Sequence, residues 1–189
     1  MTYRKKNFPL TKIRRFLEPG PVVLISSAWK NERNIMTLGW HMMLGFAPAL
    51  VGCFIWDQNH TFDLVRRSKQ CVINLPTHDL IEKVIAIGNT HAGPGAPDKF
   101  DQFGLTPARA TKVKAPLIAE CYANFECKLI DTSLINKYSL FVFEVVKAHV
   151  AKSPPAPRYP TTMHYRGDGV FMISGRNVSY RRRFKRVNL

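Results

Sequence analysis

One stretch of the chain holds side chains whose types and spacing suit an anion, and a second reads as a place for a ligand. In Asp57-Gln-Asn-His-Thr-Phe-Asp-Leu-Val-Arg-Arg-Ser68, Thr61 reads as a helix N-cap, with Asp63 in the first turn and Arg66 and Arg67 later. Free amides at a helix start, a capping hydroxyl and nearby guanidinium groups together suit a phosphate. On the local pattern alone, a plain cap with a solvated basic face is the favoured reading. The second stretch, Thr90-His-Ala-Gly-Pro-Gly-Ala-Pro97, is half Gly and Pro. It is predicted to be an open loop, a reasonable place for a ligand. Gly93-Pro94-Gly95 is not a dinucleotide fingerprint, because prolines interrupt it and no strand leads into it. No Ser, His and Asp triad motif, HExxH or Walker sequence occurs. Six histidines are scattered, and Cys53, Cys71, Cys121 and Cys127 show neither zinc-site spacing nor a CxxC pair. Cys121 and Cys127, six apart, would share a face of one strand, and buried free thiols are expected.

The elements that must position these groups are mainly β. Residues 21–28 are β-branched after a Pro-Gly-Pro turn, and 33–40 reads as their hairpin partner across Lys30-Asn31-Glu32. Strands are also predicted over 48–56 and 70–75, with the short helix between them. A second helix runs from Thr77 to about Ile87. Two long strands follow, about 117–130 and 138–150, and the second is apolar enough to be buried on both faces. Ser153-Pro-Pro-Ala-Pro157 reads as a stiff connector and 169–174 as a last strand. The pattern predicts an antiparallel barrel with a few short helices.

Several segments, in order, resemble the flavin reductase-like proteins with the FMN-binding split β-barrel, in particular their flavoredoxin branch. They are Asn34-Ile-Met-Thr-Leu-Gly-Trp40, the strand 48–56, His60-Thr61 with its helix, and Cys71-Val-Ile-Asn-Leu-Pro76. Asp98-Lys-Phe100 and Ala115-Pro116 followed by Glu120-Cys-Tyr-Ala-Asn-Phe-Glu-Cys127 complete the series. The resemblance implies that the strand from Asn34 through Gly39 and Trp40 edges the isoalloxazine ring, with backbone groups around Met36, Thr37 and Leu38 at its polar rim. It places the FMN phosphate on Thr61 and His60, with charge added by Arg66. Lys99 would lie near the polar side of the flavin and Phe100 near the ring. Gly93-Pro-Gly-Ala-Pro97 departs from the polar Gly-Arg type of loop that such relatives carry there. The implied function is hydride transfer from NADH or NADPH to flavin, in a homodimer with flavin near the subunit interface. An FMN carrier or sensor without NAD(P)H turnover is the neighbouring alternative.

Charge and size bound these readings. The 189 residues carry 28 Lys and Arg against 13 Asp and Glu, for a formal charge of +15. Six basic residues and no acid lie in 1–15, and the same is true of 176–189. That leaves 16 basic against 13 acidic residues in 16–175, so this domain is nearly neutral between two basic arms. The arms suit polyanion contact, but a nucleic-acid-binding module is poorly supported, since aromatic interleaving is limited to Tyr3, Phe8, Tyr180 and Phe184. No apolar run is long enough to cross a bilayer, the first twenty residues do not read as a signal peptide, and a cytoplasmic protein is expected.

Overall fold

Val22 to Ile25 places four aliphatic residues in a row, and each side of the strand they open meets a separate core. The structure, a computed structural model, describes residues 20–93, 95–151 and 160–179. The arm 1–15, the connector Ser153–Pro157 and the basic run Arg181–Arg186 lie outside the described residues. In β1 (Val23–Trp29), Val23 and Ile25 join an inner cluster with Val51, Ile55, Phe141 and Phe143. Val22 and Leu24 join an outer one with Ile35, Val84 and Ile87. Lys30, at φ 55°, and Asn31 turn the chain into β2 (Glu32–Leu38), with Trp29 opposite Glu32, so the predicted hairpin is present.

Further strands are β3 (His41–Gly45), β4 (Leu50–Phe54), β5 (Gln70–Leu75), β8 (Ala123–Asp131) and β9 (Leu140–Val150). With β1 and β2 they form one antiparallel sheet in the order β2-β1-β5-β8-β9-β4-β3. The short strands β6 (Pro107–Ala108) and β7 (Leu117–Ile118) pair with each other, as do β10 (Met163–Tyr165) and β11 (Phe171–Ile173). Flat, the sheet would place β2 and β3 about 29 Å apart, since strands lie about 4.8 Å from their neighbours. Only Gly39 and Trp40 link them, spanning about 11 Å from Leu38 to His41 at full stretch. The sheet must therefore roll into a barrel, as predicted.

Helices close the roll. In α1 (His60–Ser68), Phe62 and Val65 enter the inner cluster, and Phe62 meets Phe141 edge-on at 5.2 Å. A 3-10 turn (His78–Leu80) leads into α2 (Ile81–Asn89), whose Val84 and Ile87 cover the outer face of β1 and β2. Among the described residues two single-turn helices remain, α3 (Lys99–Gln102) and α4 (Ile135–Tyr138).

Several sequence expectations change. The strand predicted over about 117–130 is broken between Ile118 and Ala123 into β7 and β8, and β10 was not predicted. β3 was not predicted, because Met42, Met43 and Leu44 stand exposed and give no alternation. Thr61 is not the N-cap: Asn59 holds that position in extended conformation and Thr61 is buried in the first turn. β9 is buried on one face only, through Phe141 and Phe143, while Val142 and Glu144 are half-buried. Cys121 lies before β8 in the outer cluster, whereas Cys127 sits in the inner one opposite Cys71. All four thiols are free and buried, and burial pushes Cys121 up to about 12.

Glu126, on β8 beside a bulge in its pairing with β9, organises the loop after β6. Its fully buried carboxylate accepts from the amides of Thr111, Lys112 and Val113, from the Thr111 hydroxyl at 2.9 Å, and from His149 Nε2 at 2.7 Å. Burial opposes the charge, yet the bonds from His149, Thr111 and Lys112 outweigh it and hold the carboxyl down at about 2. A depressed folded-state value stabilises above the ordinary 4.5 and is lost as pH falls through about 2. Glu126→Gln is expected to cost about 1.5–3 kcal/mol near neutrality. Urea titrations at neutral and acid pH check this: the gap between variant and wild type should narrow toward pH 2.

Candidate functional site

The first turn of α1 sets the site. Because Phe62 and Val65 must face the barrel interior, the helix phase directs Thr61 toward β2. There Asn34 Nδ2 donates to Thr61 Oγ1 at 2.9 Å, between two buried side chains. Thr61 accepts this bond, which leaves its hydroxyl hydrogen to donate elsewhere. His60 Nε2 lies 2.6 Å from Glu32 Oε1, tying the same turn to the start of β2.

β2 is an edge strand of the sheet, so half of its backbone N–H and C=O groups face outward. A trough follows this edge in three connected parts. A pocket of about 100 Å³ holds Asn34, Met36, Thr37, His60, Thr61 and Lys99 on its walls, facing Gly88 and His91. Through Asn34, His60 and Ala92 it joins a cleft of about 610 Å³ bounded by Trp29, Lys30, Arg67, Ala92, Gly93 and the segment from Gly95 to Asp98. Through Thr37 and Gly88 it joins a cleft of about 700 Å³ walled by Gly39, Trp40, Ile85, Tyr165 and Phe171. Thr37 Oγ1 donates to the Val84 carbonyl at 2.7 Å and holds α2 against β2 beside Gly88, where an added Cβ would come within 3.4 Å of Thr37.

The segment Asp98-Lys99-Phe100 anchors the far wall. Asp98 Oδ1 accepts from the Phe100 amide at 2.8 Å and caps α3, while its Oδ2 accepts from Arg33 Nε at 2.5 Å. Lys99 is buried, and its Nζ donates to the carbonyls of Thr90 at 2.6 Å and Ile87 at 3.2 Å, at the end of α2. Burial lowers its pKa below the ordinary 10.5.

Of the residues named from sequence, Asn34, Met36, Thr37, His60, Thr61 and Lys99 meet in the small pocket, with Gly39 and Trp40 further along the trough. Leu38 buries its side chain in the inner core and keeps only backbone groups for the edge of β2, as expected of a backbone contact. Two residues fall elsewhere. Phe100 is fully buried in the outer core beneath the Arg33 guanidinium, 4.9 Å above its ring, and offers no surface to a ligand. Arg66 lies over Phe62, and its neighbour Arg67 walls the cleft beside His60. The cation at the cleft is therefore Arg67 and not the expected Arg66. Tyr165 and Phe171 come from a distant hairpin, and no local signal marked them.

A rolled antiparallel sheet with a trough along its edge and a helix start at one end defines the split-barrel class. The chain belongs to the flavin reductase like domain family, whose model matches residues 14–171. It is 33% identical over 132 residues to an uncharacterised protein of Pyrococcus abyssi, covering 70% of this chain and 74% of that one. It is 30% identical to the uncharacterised protein YddH of Escherichia coli, over 87% of this chain and 92% of YddH. An FMN-binding domain of a flavin reductases-like enzyme from Shewanella baltica superposes with TM-score 0.75 at 26% identity, over 91% of this chain and 95% of that one. The fold is shared with flavoredoxin from Methanosarcina acetivorans, at TM-score 0.79, 20% identity and coverage of 99% and 100%.

The Lys99 geometry predicts a measurable role in holding the loop. Lys99→Met keeps the bulk but strips the Ile87 and Thr90 carbonyls of their donor, at a cost of about 1–3 kcal/mol. Hydrogen exchange should quicken over residues 87–97 and the melting temperature should fall. Unchanged protection would show that the loop stands without the ammonium group.

Proposed function

We propose that the trough binds FMN and that the protein is an NADH- or NADPH-dependent flavin oxidoreductase or a flavoredoxin-like electron carrier. The observation that carries this reading is the small pocket, where Thr61 and His60 at a helix start meet Asn34 and the edge of β2. Phosphate fits that end: opening amides of a nine-residue helix, a hydroxyl with its hydrogen to give, and Arg67 nearby. The ring fits the other end, where Trp40, Tyr165 and Phe171 supply flat walls and the edge of β2 supplies amides and carbonyls. FMN, when bound, accepts hydride from the nicotinamide and passes electrons onward. The chain binds and orients: Thr61 and His60 hold the phosphate, Thr37 keeps α2 at the wall, and Lys99 places a buried cation in the small pocket. That cation favours negative charge arriving on a ligand beside it.

A homodimer belongs to the same reading. Met42 and Met43 on edge strand β3 are 58% and 65% exposed, and Phe46 in the turn beyond is 99% exposed. Such a row on a sheet edge suits burial against a second copy. The segments described contain no helix long and apolar enough to cross a membrane, and a cytoplasmic setting is proposed with the function.

The purified protein is expected to be yellow or to take up FMN, and NADH or NADPH should bleach it in the absence of oxygen. Flavin that binds but stays oxidised would mark a carrier. Thr61→Ala should weaken FMN by about 1.5–3 kcal/mol and riboflavin much less, because riboflavin lacks the phosphate. Titrating each variant with both ligands checks this, and equal losses would reduce Thr61 to a structural role.

A further inference from the structure

A cleft of about 830 Å³ shares no wall residue with the trough, and a cleft of about 410 Å³ bearing Glu32 and Asp98 runs between the two and meets this one at Lys114 and Pro116. Five cations line it: Lys69 at the end of α1, Lys128 on β8, and Arg109, Lys112 and Lys114 on the loop between β6 and β7. All five are exposed. None has an ion-pair partner among the described residues, and no acidic side chain faces the cleft. Glu144 sits opposite Lys128 on β9 but makes no ion pair with it and is not on the cleft wall.

The frame under these cations is rigid. Glu126 gathers the amides of Thr111, Lys112 and Val113, which fixes the loop that carries three of the five. Gln70 Oε1 accepts from the Lys114 amide at 2.6 Å and ties the same loop to β5. Glu126 keeps its negative charge beneath the loop, where it is fully buried and bonded to these amides and to His149, and it does not line the cleft. Five like charges held around one concavity, without an acid on its walls, leave a strong positive potential for an anion to neutralise.

We propose that this cleft binds a compact oligophosphate, free or carried on a nucleotide. The concave shape and clustering suit a short chain of phosphates. Its remaining wall is Ala108, Ala110, Val113, Pro116 and Leu129 with a few small polar groups. Among the described residues no aromatic ring lines it to stack the bases of a single strand, as a nucleic-acid groove would require.

Isothermal titration of the full chain with tripolyphosphate, ATP, orthophosphate, a short single-stranded oligonucleotide and polyglutamate tests the assignment. Tripolyphosphate should bind more tightly than orthophosphate, with affinity falling steeply between about 50 and 200 mM KCl. Lys112→Ala with Lys128→Ala should weaken it at least about tenfold, as should Arg109→Glu alone, with the melting temperature unchanged. Deleting residues 181–189 should leave that affinity nearly unchanged. ATP matching tripolyphosphate would identify the phosphate chain as the recognised group, and ATP binding tighter would identify a nucleotide as its carrier. Undiminished binding by the cleft variants would assign the anion to other cations and overturn the proposal. Tighter binding of the oligonucleotide or of polyglutamate would overturn it as well, in favour of a nucleic acid or an acidic protein.

Discussion

The link Gly39–Trp40 joins two strands that stand at opposite ends of a seven-strand order, and a flat sheet could not satisfy it. Rolling the sheet brings β2 and β3 together and turns Val23, Ile25, Phe141 and Phe143 toward one interior. It also leaves a seam, because β2 and β3 remain edge strands and do not pair with each other. Everything proposed for the ligand trough follows from that seam. An edge strand keeps donors and acceptors to offer, and the helix plugging the barrel presents its first turn beside that edge.

Charge is held in different ways at three places, buried at Glu126 and Lys99 and half-buried at the Arg33–Asp98 pair. Glu126 stays ionised, its charge stabilised by donors from one loop and one histidine, and in exchange that loop acquires a fixed course. Lys99 is held by two carbonyls at the end of α2, which joins the far wall of the trough to the helix that forms it. Arg33 pairs with Asp98 while covering Phe100, so the same wall is tied to β2. The latter two keep α2, α3 and the intervening loop in register with the edge of β2. A single buried charge left without its partners would cost more than one of these bonds supplies.

The likeness to solved structures at 20–26% identity indicates how much variation the constraint tolerates. A barrel closed by connection length and by inward aliphatic residues needs no particular side chain at most outward positions. Those positions are free to carry function. This chain has used one set, around Lys69, Arg109, Lys112, Lys114 and Lys128, to concentrate positive charge away from the trough.

Local order along the chain already determined the hairpin of β1 and β2, strand β5, the helix between residues 60 and 68, and the open loop before Asp98. Each rests on short-range rules: β-branched runs, turn residues, capping types and Gly or Pro frequency. The ordered motifs from Asn34 to Phe100 further carried the family. Tertiary structure decided what needs distance. It set the phase of α1, because only contact with Phe141 turns Phe62 inward and thereby buries Thr61 and places Arg67, not Arg66, at the cleft. It sent Phe100 into the core, since the pocket beneath Arg33 is built from residues far apart in sequence. It made β3 a strand through pairing with β4 despite its exposed side chains. Periodicity reports one strand or helix against a generic interior, whereas these outcomes depend on which particular surfaces meet once the sheet has rolled.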